Sequence, residues 1–183
     1  MNSQFSPVKG RTFGYDQLQV DAFISMARQQ YDNPEGLLLS SERIRETEFD
    51  LVRGGYQPSQ IDAALDRIED ALADREIKKK IETRGAEAVA DQLSRIRDIV
   101  TLRAGRPKKK RFDRVSWPMR AYSRAEVDKL CNLVLEHNVN HEPLEMAEVR
   151  RVVFSAKRGG YAENQVDAFI DRVIQILHLE RNS

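Results

Sequence analysis

Cysteine, long hydrophobic runs and net charge are all nearly absent from this chain, and each absence narrows the class of protein. One cysteine among 183 residues excludes an internal disulfide and a metal site built from several cysteines. No apolar run approaches the roughly eighteen residues of a membrane-spanning helix, and the N-terminal residues contain no apolar signal core. We therefore expect a soluble, cytoplasmic protein.

A short pattern that occurs four times is the main feature that the sequence does contain. In each copy a tyrosine is followed five residues later by a β-branched aliphatic residue and six residues later by an aspartate. The four copies are Tyr15/Val20/Asp21, Tyr56/Ile61/Asp62, Tyr122/Val127/Asp128 and Tyr161/Val166/Asp167, and we take them as candidate site residues of the repeat. An internal repeat of this kind indicates a scaffold rather than an enzyme.

Each copy has the features of a helix start. If the residue after the tyrosine is the N-cap, the tyrosine and the aliphatic residue form a hydrophobic staple. The glutamine or glutamate at the third helical position then reaches back to the cap backbone in a capping box. The predicted caps are Asp16, Gln57, Ser123 and Ala162, and the third-position residues are Gln19, Gln60, Glu126 and Gln165. A carboxylate near a helix N-terminus is favoured by about 0.3–1 kcal/mol, so we interpret the motif aspartates as structural.

The four copies form two pairs. Apolar residues after each tyrosine recur at helical spacing, which predicts four amphipathic motif helices. The residues ahead of the second and fourth copies match in order: Leu39, Ile44, Phe49 and Arg53 against Leu144, Val149, Phe154 and Arg158. The sequence therefore predicts an all-α fold built by tandem duplication of one unit. In each unit a short helix ending near Phe49 or Phe154 is followed by a turn and then by an amphipathic helix. The predicted regions are a first repeat pair at 1–72, a charged helical connector with a basic linker at 73–112, and a second repeat pair at 113–183. Halves of this size are near the lower limit for independent folding, so we expect them to pack together or to dimerise.

Paired glycines mark a tight turn before the second and fourth motif helices. The two turns are Arg53-Gly54-Gly55 and Arg158-Gly159-Gly160. Glycine suits the positive φ that a chain reversal before a helix needs. The rest of a phosphate-binding or dinucleotide-binding motif is missing, so we predict no nucleotide cofactor.

The connector is highly charged and helix-prone. Val89, Leu93, Ile96 and Val100 are spaced by four, three and four residues, as in the seam of a short coiled coil. Two interpretations fit this stripe: a coiled coil with another helix, or packing against the repeat pairs. Gly85 is predicted to separate an extension of the second motif helix from a helix over 86–103.

Basic residues and the only tryptophan are crowded together after the connector helix. This group comprises Lys108, Lys109, Lys110, Arg111, Arg114, Trp117, Met119 and Arg120. Three interpretations fit: a solvated linker, a membrane-contact surface, or non-specific contact with nucleic-acid phosphates. On a membrane each cation would contribute about 1 kcal/mol with anionic headgroups, while Trp117, Met119 and Phe112 enter the interface. We rank lipid above nucleic acid because the net charge is only +1 and no sequence-reading module is present.

Catalysis has little support in this sequence. Cys131 and His137 come closest to a nucleophile and base, but Cys131 takes the position of Ile24, Leu65 and Ile170 in the other copies. We therefore interpret Cys131 as a buried small hydrophobe, and we expect no enzyme activity, metal or cofactor.

The second and fourth copies resemble a known family. The strings Phe49-x6-Tyr56-x3-Gln-Ile-Asp and Phe154-x6-Tyr161-x3-Gln-Val-Asp are similar to the N-terminal domain of DivIVA, a bacterial cell-division and polar-growth scaffold. The similarity is to actinobacterial proteins that carry repeated DivIVA domains. It implies a non-enzymatic scaffold or adaptor in cell division, septum placement or polar envelope growth, at the inner face of the membrane at septum or pole. Division or cell-wall proteins would be its partners, and it would self-associate through helices. A nucleic-acid-associated protein that uses the basic linker is the alternative.

Overall fold

The computed structural model describes residues 5–32 and 39–182, which are mostly helical. The helices are α1 Gln17–Asp32, α2 Ser41–Arg45, α3 Pro58–Arg84, α4 Ala86–Ala104, α5 Arg124–Asn140, α6 Met146–Arg150 and α7 Glu163–Arg181. The strands are β1 Phe13–Tyr15, β2 Leu51–Arg53, β3 Arg120–Tyr122 and β4 Ala156–Arg158. The predicted helical character is confirmed, and the four short strands are a departure from the all-α prediction.

The chain divides into two compact units, Met1–Glu76 and Ile77–Ser183, with the boundary inside α3. The first unit contains β1, α1, α2, β2 and most of α3. The second contains the end of α3, then α4, β3, α5, α6, β4 and α7. Most of the region 73–112, predicted as a separate connector, therefore belongs to the second unit.

All four motif helices begin at the residue after the predicted cap. Asp16 is a true cap, because its Oδ1 accepts hydrogen bonds from the backbone N–H groups of Leu18 and Gln19 at 2.8 and 3.1 Å. Ser123 and Ala162 occupy the cap position without a side-chain hydrogen bond. The helix starts were predictable because their signals lie within a few consecutive residues.

The aliphatic residue of each motif belongs to the hydrophobic core. Val20, Ile61, Val127 and Val166 are all 0% exposed. Each lies in a core cluster with a motif tyrosine of its own unit, Tyr56 in the first and Tyr161 in the second. A side chain with no exposed surface cannot contact a partner or a lipid. The role of these helix-start residues, Val20, Ile61, Val127 and Val166, is therefore to anchor the motif helices in the core.

The predicted capping boxes are wrong. In each motif helix the third-position side chain accepts a hydrogen bond from the backbone N–H of a residue in a distant segment. The four pairs are Gln19–Asp50, Gln60–Ser6, Glu126–Ser155 and Gln165–Asp113, at 2.9, 2.9, 2.6 and 3.0 Å. The third-position residue thus joins two segments instead of closing its own helix end.

A second hydrogen bond explains why the capping box is not needed. In each case the backbone N–H of the cap residue donates to the carbonyl of that same distant residue. The pairs are Asp16–Asp50, Gln57–Ser6, Ser123–Ser155 and Ala162–Asp113, at 2.8, 3.0, 2.9 and 2.9 Å. Because the cap N–H is already satisfied, the third-position side chain binds the distant N–H. Two oppositely directed hydrogen bonds therefore clamp each helix start to another segment.

Within the described residues, each unit has one two-stranded antiparallel sheet. Strand β1 pairs with β2, placing Gly14 opposite Val52, and β3 pairs with β4. Tyr15 and Tyr56 extend the first sheet by exchanging both backbone hydrogen bonds, at 3.0 and 2.8 Å. The strands escaped prediction because three residues are too few to show an alternating pattern.

The tyrosine of each motif interacts with the aspartate of the other motif in its unit, and not with its own. The pairs are Tyr15–Asp62, Tyr56–Asp21, Tyr122–Asp167 and Tyr161–Asp128. The hydroxyls of Tyr56 and Tyr161 donate hydrogen bonds to their aspartates, and the hydroxyls of Tyr15 and Tyr122 interact electrostatically with theirs. The oxygen–oxygen distance is 3.2 Å for Tyr56 and 3.1 Å for Tyr161. The aspartate that follows each tyrosine by six residues therefore makes its contact with the tyrosine of the other motif.

The short helices end earlier than predicted. Helix α2 ends at Arg45 and α6 at Arg150, before Phe49 and Phe154 are reached. The ring of Phe49 packs on Tyr15 at 5.6 Å between centroids, and the ring of Phe154 packs on a motif tyrosine at 5.0 Å. Packing against a distant segment, and not local helix propensity, thus determines the conformation of Phe49 and Phe154.

Helix α4 is part of the core of the second unit. It packs against α5 and α7, and its stripe of Val89, Leu93, Ile96 and Val100 is buried there. Packing within the fold is therefore the correct interpretation of the stripe. As predicted, Gly85 separates α3 from α4, and its φ is 84°.

We expect Tyr161→Ala to lower the free energy of unfolding of the second unit by about 3–5 kcal/mol, because a fully buried aromatic ring is removed. Tyr161→Phe should cost about 1–3 kcal/mol, since the buried Asp128 carboxylate and Arg111 backbone N–H lose a partner. Urea unfolding followed by circular dichroism measures both. The exposed control Val153→Ala should change the value by less than about 0.5 kcal/mol. Wild-type stability of Tyr161→Phe would contradict a role for the hydroxyl.

Candidate functional site

The two glycines of each turn serve different purposes. Gly54 and Gly159 have φ angles of 74° and 60°, the positive values that the sequence predicts. A Cβ atom on Gly55 would lie 2.4 Å from the carbonyl oxygen of Gly14, and one on Gly160 would meet backbone at 2.5 Å. The first glycine therefore makes the reversal, and the second lets two backbones approach closely.

An exposed aromatic ring lies beside the turn arginine in each unit. In the second unit the ring of Trp117 is 74% exposed, and the guanidinium of Arg158 lies 5.8 Å from its centre. In the first unit Phe13 is 53% exposed, with Arg53 at the same distance. Such cation–π pairs contribute about 0.5–1 kcal/mol at exposed sites. The turn itself carries no aromatic residue, and the opposite segment supplies one.

The exposed residues around Trp117 form what we call the tip surface, consisting of Trp117, Met119, Arg120 and Arg158. Arg120 lies directly opposite Arg158 in the β3–β4 register, and the Met119 carbonyl accepts a hydrogen bond from the Gly159 N–H at 3.0 Å. Two like charges directly opposite each other in a sheet repel. An anion placed between the two arginines would relieve that repulsion.

The structure separates the predicted basic residues into two environments. Lys108, Lys109, Lys110 and Arg114 are exposed. Arg111 is only 4% exposed and Phe112 is also buried, so the assignment of Arg111 to the surface is wrong, as is the expectation that Phe112 enters a membrane. The sequence of a basic run does not indicate which of its side chains is buried.

The guanidinium of Arg111 is held by three hydrogen-bond acceptors. Its guanidinium donates to the backbone carbonyl of Asp128 at 2.6 Å, to Oδ1 of Asn132 at 2.7 Å and to the carbonyl of Arg106 at 3.2 Å. The Lys109 N–H donates to the Asp128 carboxylate at 2.8 Å. A buried charge needs such partners, so this part of the linker is fixed on α5 and does not lie free in solvent.

Phe112 lies in the aromatic core of the second unit. Its ring makes edge contacts with Tyr161 and Phe169 at 5.3 and 5.4 Å between centroids. Phe5 packs on Tyr56 with tilted rings at 5.6 Å between centroids. The sequence carried a signal for this role, because both phenylalanines lie ten residues before the first motif tyrosine of their unit.

The tyrosine–aspartate pairs have perturbed protonation equilibria. Burial, reinforced by the neighbouring motif aspartate, raises the pKa of Tyr15 and of Tyr122. Burial also raises the pKa of Tyr161. For Asp62 and Asp167 burial raises the pKa, and the neighbouring tyrosine hydroxyl opposes that rise. The hydroxyl therefore keeps its proton and acts as the donor.

Cys131 and His137 do not form a nucleophile and base. Cys131 is fully buried, and burial raises the pKa of its thiol to about 11, so the thiol is protonated at neutral pH. The His137 ring nitrogens lie 2.7 Å from the Glu142 carbonyl and 2.9 Å from the Glu180 carboxylate. Among the residues that the structure describes, no group of three or more His, Cys, Asp or Glu side chains could hold a metal ion.

No family model, curated protein or solved structure matches this chain. None of the helices within residues 5–32 and 39–182 is long and apolar enough to cross a membrane. The exposed features of the fold, above all the tip surface, are the observations that bear on function.

Alkaline pH should destabilise the protein through its tyrosines. The pKa values of Tyr15, Tyr122 and Tyr161 are raised on folding, so their stabilising contribution is complete below about pH 10 and is lost as the pH rises through the folded-state values. We expect the free energy of unfolding to fall above about pH 10, and Tyr122→Phe to make that fall shallower. Urea unfolding at several pH values, in a Cys131→Ala background because the thiol titrates in the same direction, tests this. An unchanged slope would show that Tyr122 does not contribute.

Cys131 should be inert in the folded protein. We expect it to react with a soluble thiol reagent only after denaturant unfolds the second unit, because the thiol is buried and protonated. In a Cys131→Ala background, a Ser94→Cys variant provides an exposed cysteine on α4 that should react at once. Rapid labelling of native Cys131 would contradict the core assignment.

Proposed function

We propose that this protein is a non-enzymatic, DivIVA-like helical scaffold or adaptor that acts in bacterial cell division, septum placement or polar envelope growth. The tip surface is the observation that carries this proposal. The similarity of the motif strings to the DivIVA N-terminal domain indicates the process, and the exposed Trp117 stacked by Arg158 suits contact with an anionic membrane surface.

A tandem duplication is part of this proposal. Both units have a strand, a motif helix, a short helix, a second strand and a second motif helix in the same order. Both also have the backbone clamps, the exchanged tyrosine–aspartate pairs and a positive-φ glycine in the turn. Duplication of one ancestral unit accounts for all of these at once.

The chemistry of the tip surface matches a lipid headgroup region. Arg120 and Arg158 supply two adjacent cations, and each basic residue near an anionic bilayer contributes about 1 kcal/mol. Trp117 and Met119 are exposed apolar groups of the kind that enter the interface between headgroups and acyl chains. Lys108, Lys109 and Lys110 add further exposed charge in the same unit.

Membrane contact of this kind is weak and reversible, so partners complete the localisation. A few cations and one or two apolar side chains hold a protein to a bilayer only transiently. In the proposed function, binding to division or cell-wall proteins at the inner face of the membrane, together with self-association, retains the scaffold at the septum or pole.

We expect the protein to cosediment with phosphatidylglycerol-containing vesicles at low salt. Trp117→Ala should weaken binding by on the order of tenfold, since it removes an apolar contact. Adding Gln substitutions at Lys108, Lys109 and Lys110 should abolish it, since three of the cations that attract the anionic headgroups are removed as well. Arg111 stays unchanged in this series because it is buried.

The exposed Leu102 of α4 provides a matched control, and Leu102→Ala should bind vesicles as the wild type does. A rising salt concentration should weaken the electrostatic contribution to vesicle binding and leave the contribution of Trp117 unchanged. Failure of the wild type to cosediment at low salt would contradict direct lipid contact. Salt-sensitive binding to duplex DNA in its place would favour the nucleic-acid alternative.

A further inference from the structure

An open cleft lies in the first unit between α1 and the segment that follows α2. Its volume is about 690 Å³. Ala22, Phe23 and Met26 of α1 supply its apolar lining, and Glu48 and Asp50 supply two carboxylates. Ala22 is exposed and Met26 is half-buried. We call this site the acidic cleft, because it offers an apolar surface next to negative charge.

Within the described residues, no cation neutralises the two carboxylates of the acidic cleft. Glu48 is exposed and makes no ion pair or hydrogen bond with another described residue. The Asp50 carboxylate accepts a hydrogen bond from the side-chain amide of Gln19 at 2.7 Å. An amide carries no charge, so the negative charge of Asp50 is not compensated. Cations of a partner would therefore meet two carboxylates that are available for pairing.

The same place in the second unit has a different chemistry. Counted from the shared motifs, the positions of Ala22, Glu48 and Asp50 are those of Lys129, Val153 and Ser155. The second unit thus has one cation and no carboxylate at these three positions. The nearby Glu126 carboxylate has Lys129 and Lys157 as neighbouring cations. The uncompensated negative charge is therefore a feature of the first unit.

Charge is distributed unequally over the whole chain in the same sense. Met1–Glu76 has 14 acidic and 8 basic residues, whereas Ile77–Ser183 has 15 acidic and 22 basic residues. The formal charges of the two units are therefore −6 and +7, although the net charge of the chain is only +1. Opposite charges of this size attract the first unit of one copy to the second unit of another.

The tip surface is the part of the second unit that complements the acidic cleft. Trp117 has a large exposed ring, and the adjacent Arg120 and Arg158 have no carboxylate partner within the described residues. Tryptophan and arginine are the side chains that most often dominate binding at protein interfaces. The tip of the first unit has Phe13 in place of Arg120, so it offers one cation where the cleft has two carboxylates.

We propose that the tip surface of one copy of this chain docks in the acidic cleft of a second copy. Trp117 covers the apolar lining of the cleft, and the two arginines beside it pair with the two carboxylates. Because this contact joins two different surfaces, it continues head to tail beyond a dimer. The inference rests on the self-association in the proposed function and names the surfaces that carry it. A bilayer and a second copy then compete for the same tip.

Sedimentation equilibrium of the full chain at several concentrations tests this contact. At low salt the weight-average mass should rise with concentration past that of a dimer, and high salt should return the chain to monomers. Glu48→Lys and Arg120→Glu should each weaken association by on the order of tenfold in Kd, because each places like charges in contact. The double variant restores an attractive pair and should associate again. As a matched control, Glu82→Lys makes the same charge change at an exposed place on α3 and should associate as the wild type does.

A mixing experiment tests the head-to-tail geometry. Ala22→Lys, which copies Lys129 of the second unit, should block the cleft and leave the tip intact. Trp117→Ala should weaken the tip and leave the cleft intact. Each variant alone should be monomeric, because Ala22→Lys lacks a working cleft and Trp117→Ala a working tip, and an equimolar mixture of the two should stop at a 1:1 dimer. Unchanged thermal unfolding of each variant excludes a folding defect as the cause of lost association.

A wild-type chain that stays monomeric at low salt, or a dimer that does not grow with concentration, would overturn the proposal. So would wild-type association of Glu48→Lys, or a double variant that does not recover. Vesicle binding uses the tip and not the cleft, so Glu48→Lys should still bind phosphatidylglycerol-containing vesicles. Association without vesicle binding would contradict the membrane contact alone, and vesicle binding without association would contradict the docking contact alone.

Discussion

The contact between the tyrosine hydroxyl of one motif and the aspartate of the other is the interaction on which the rest of each unit depends. A single residue, Tyr161, ends a turn, pairs its backbone with Tyr122, buries its ring and donates its hydroxyl to Asp128 on another helix. Its hydroxyl also accepts the backbone N–H of Arg111, which fixes the linker. Aspartate suits this position because an ionised carboxylate only accepts hydrogen bonds and can serve several donors at once. Loss of one tyrosine therefore loosens a strand, two helix starts and the linker together.

The features that could be predicted from sequence are those whose signals are local. The starts of the motif helices, the break at Gly85 and the positive φ of Gly54 all follow from a few consecutive residues. The strands, the clamps and the tyrosine–aspartate exchange join residues that are far apart in the chain, and no local pattern encodes which partner is chosen. Gln19 illustrates the limit: it is the third residue of α1, as predicted, but its side chain accepts a hydrogen bond from the backbone N–H of Asp50 and not from that of its own cap.

The candidate site was predicted in part for the same reason. Trp117 and the three lysines lie at the surface, as a solvated or lipid-facing run should. Arg111 belongs to the same run by composition, yet it is buried, and its guanidinium donates to Asn132 and to the Asp128 carbonyl on a helix that follows later in the chain. Arg158 was predicted only as part of a turn, and its contact with Trp117 needs the β3–β4 register to bring the two segments together.

The two units share an order of elements but differ in their exposed surfaces. In the second unit α4 covers the face between the motif helices, so the exposed tip, with Trp117 beside Arg158 and Arg120, is the part available for contact. In the first unit the tip has Phe13 in place of Arg120, so it lacks the adjacent pair of cations that would attract an anionic headgroup. The membrane contact in the proposed function therefore belongs to the second unit, where two adjacent cations and an exposed indole ring lie together.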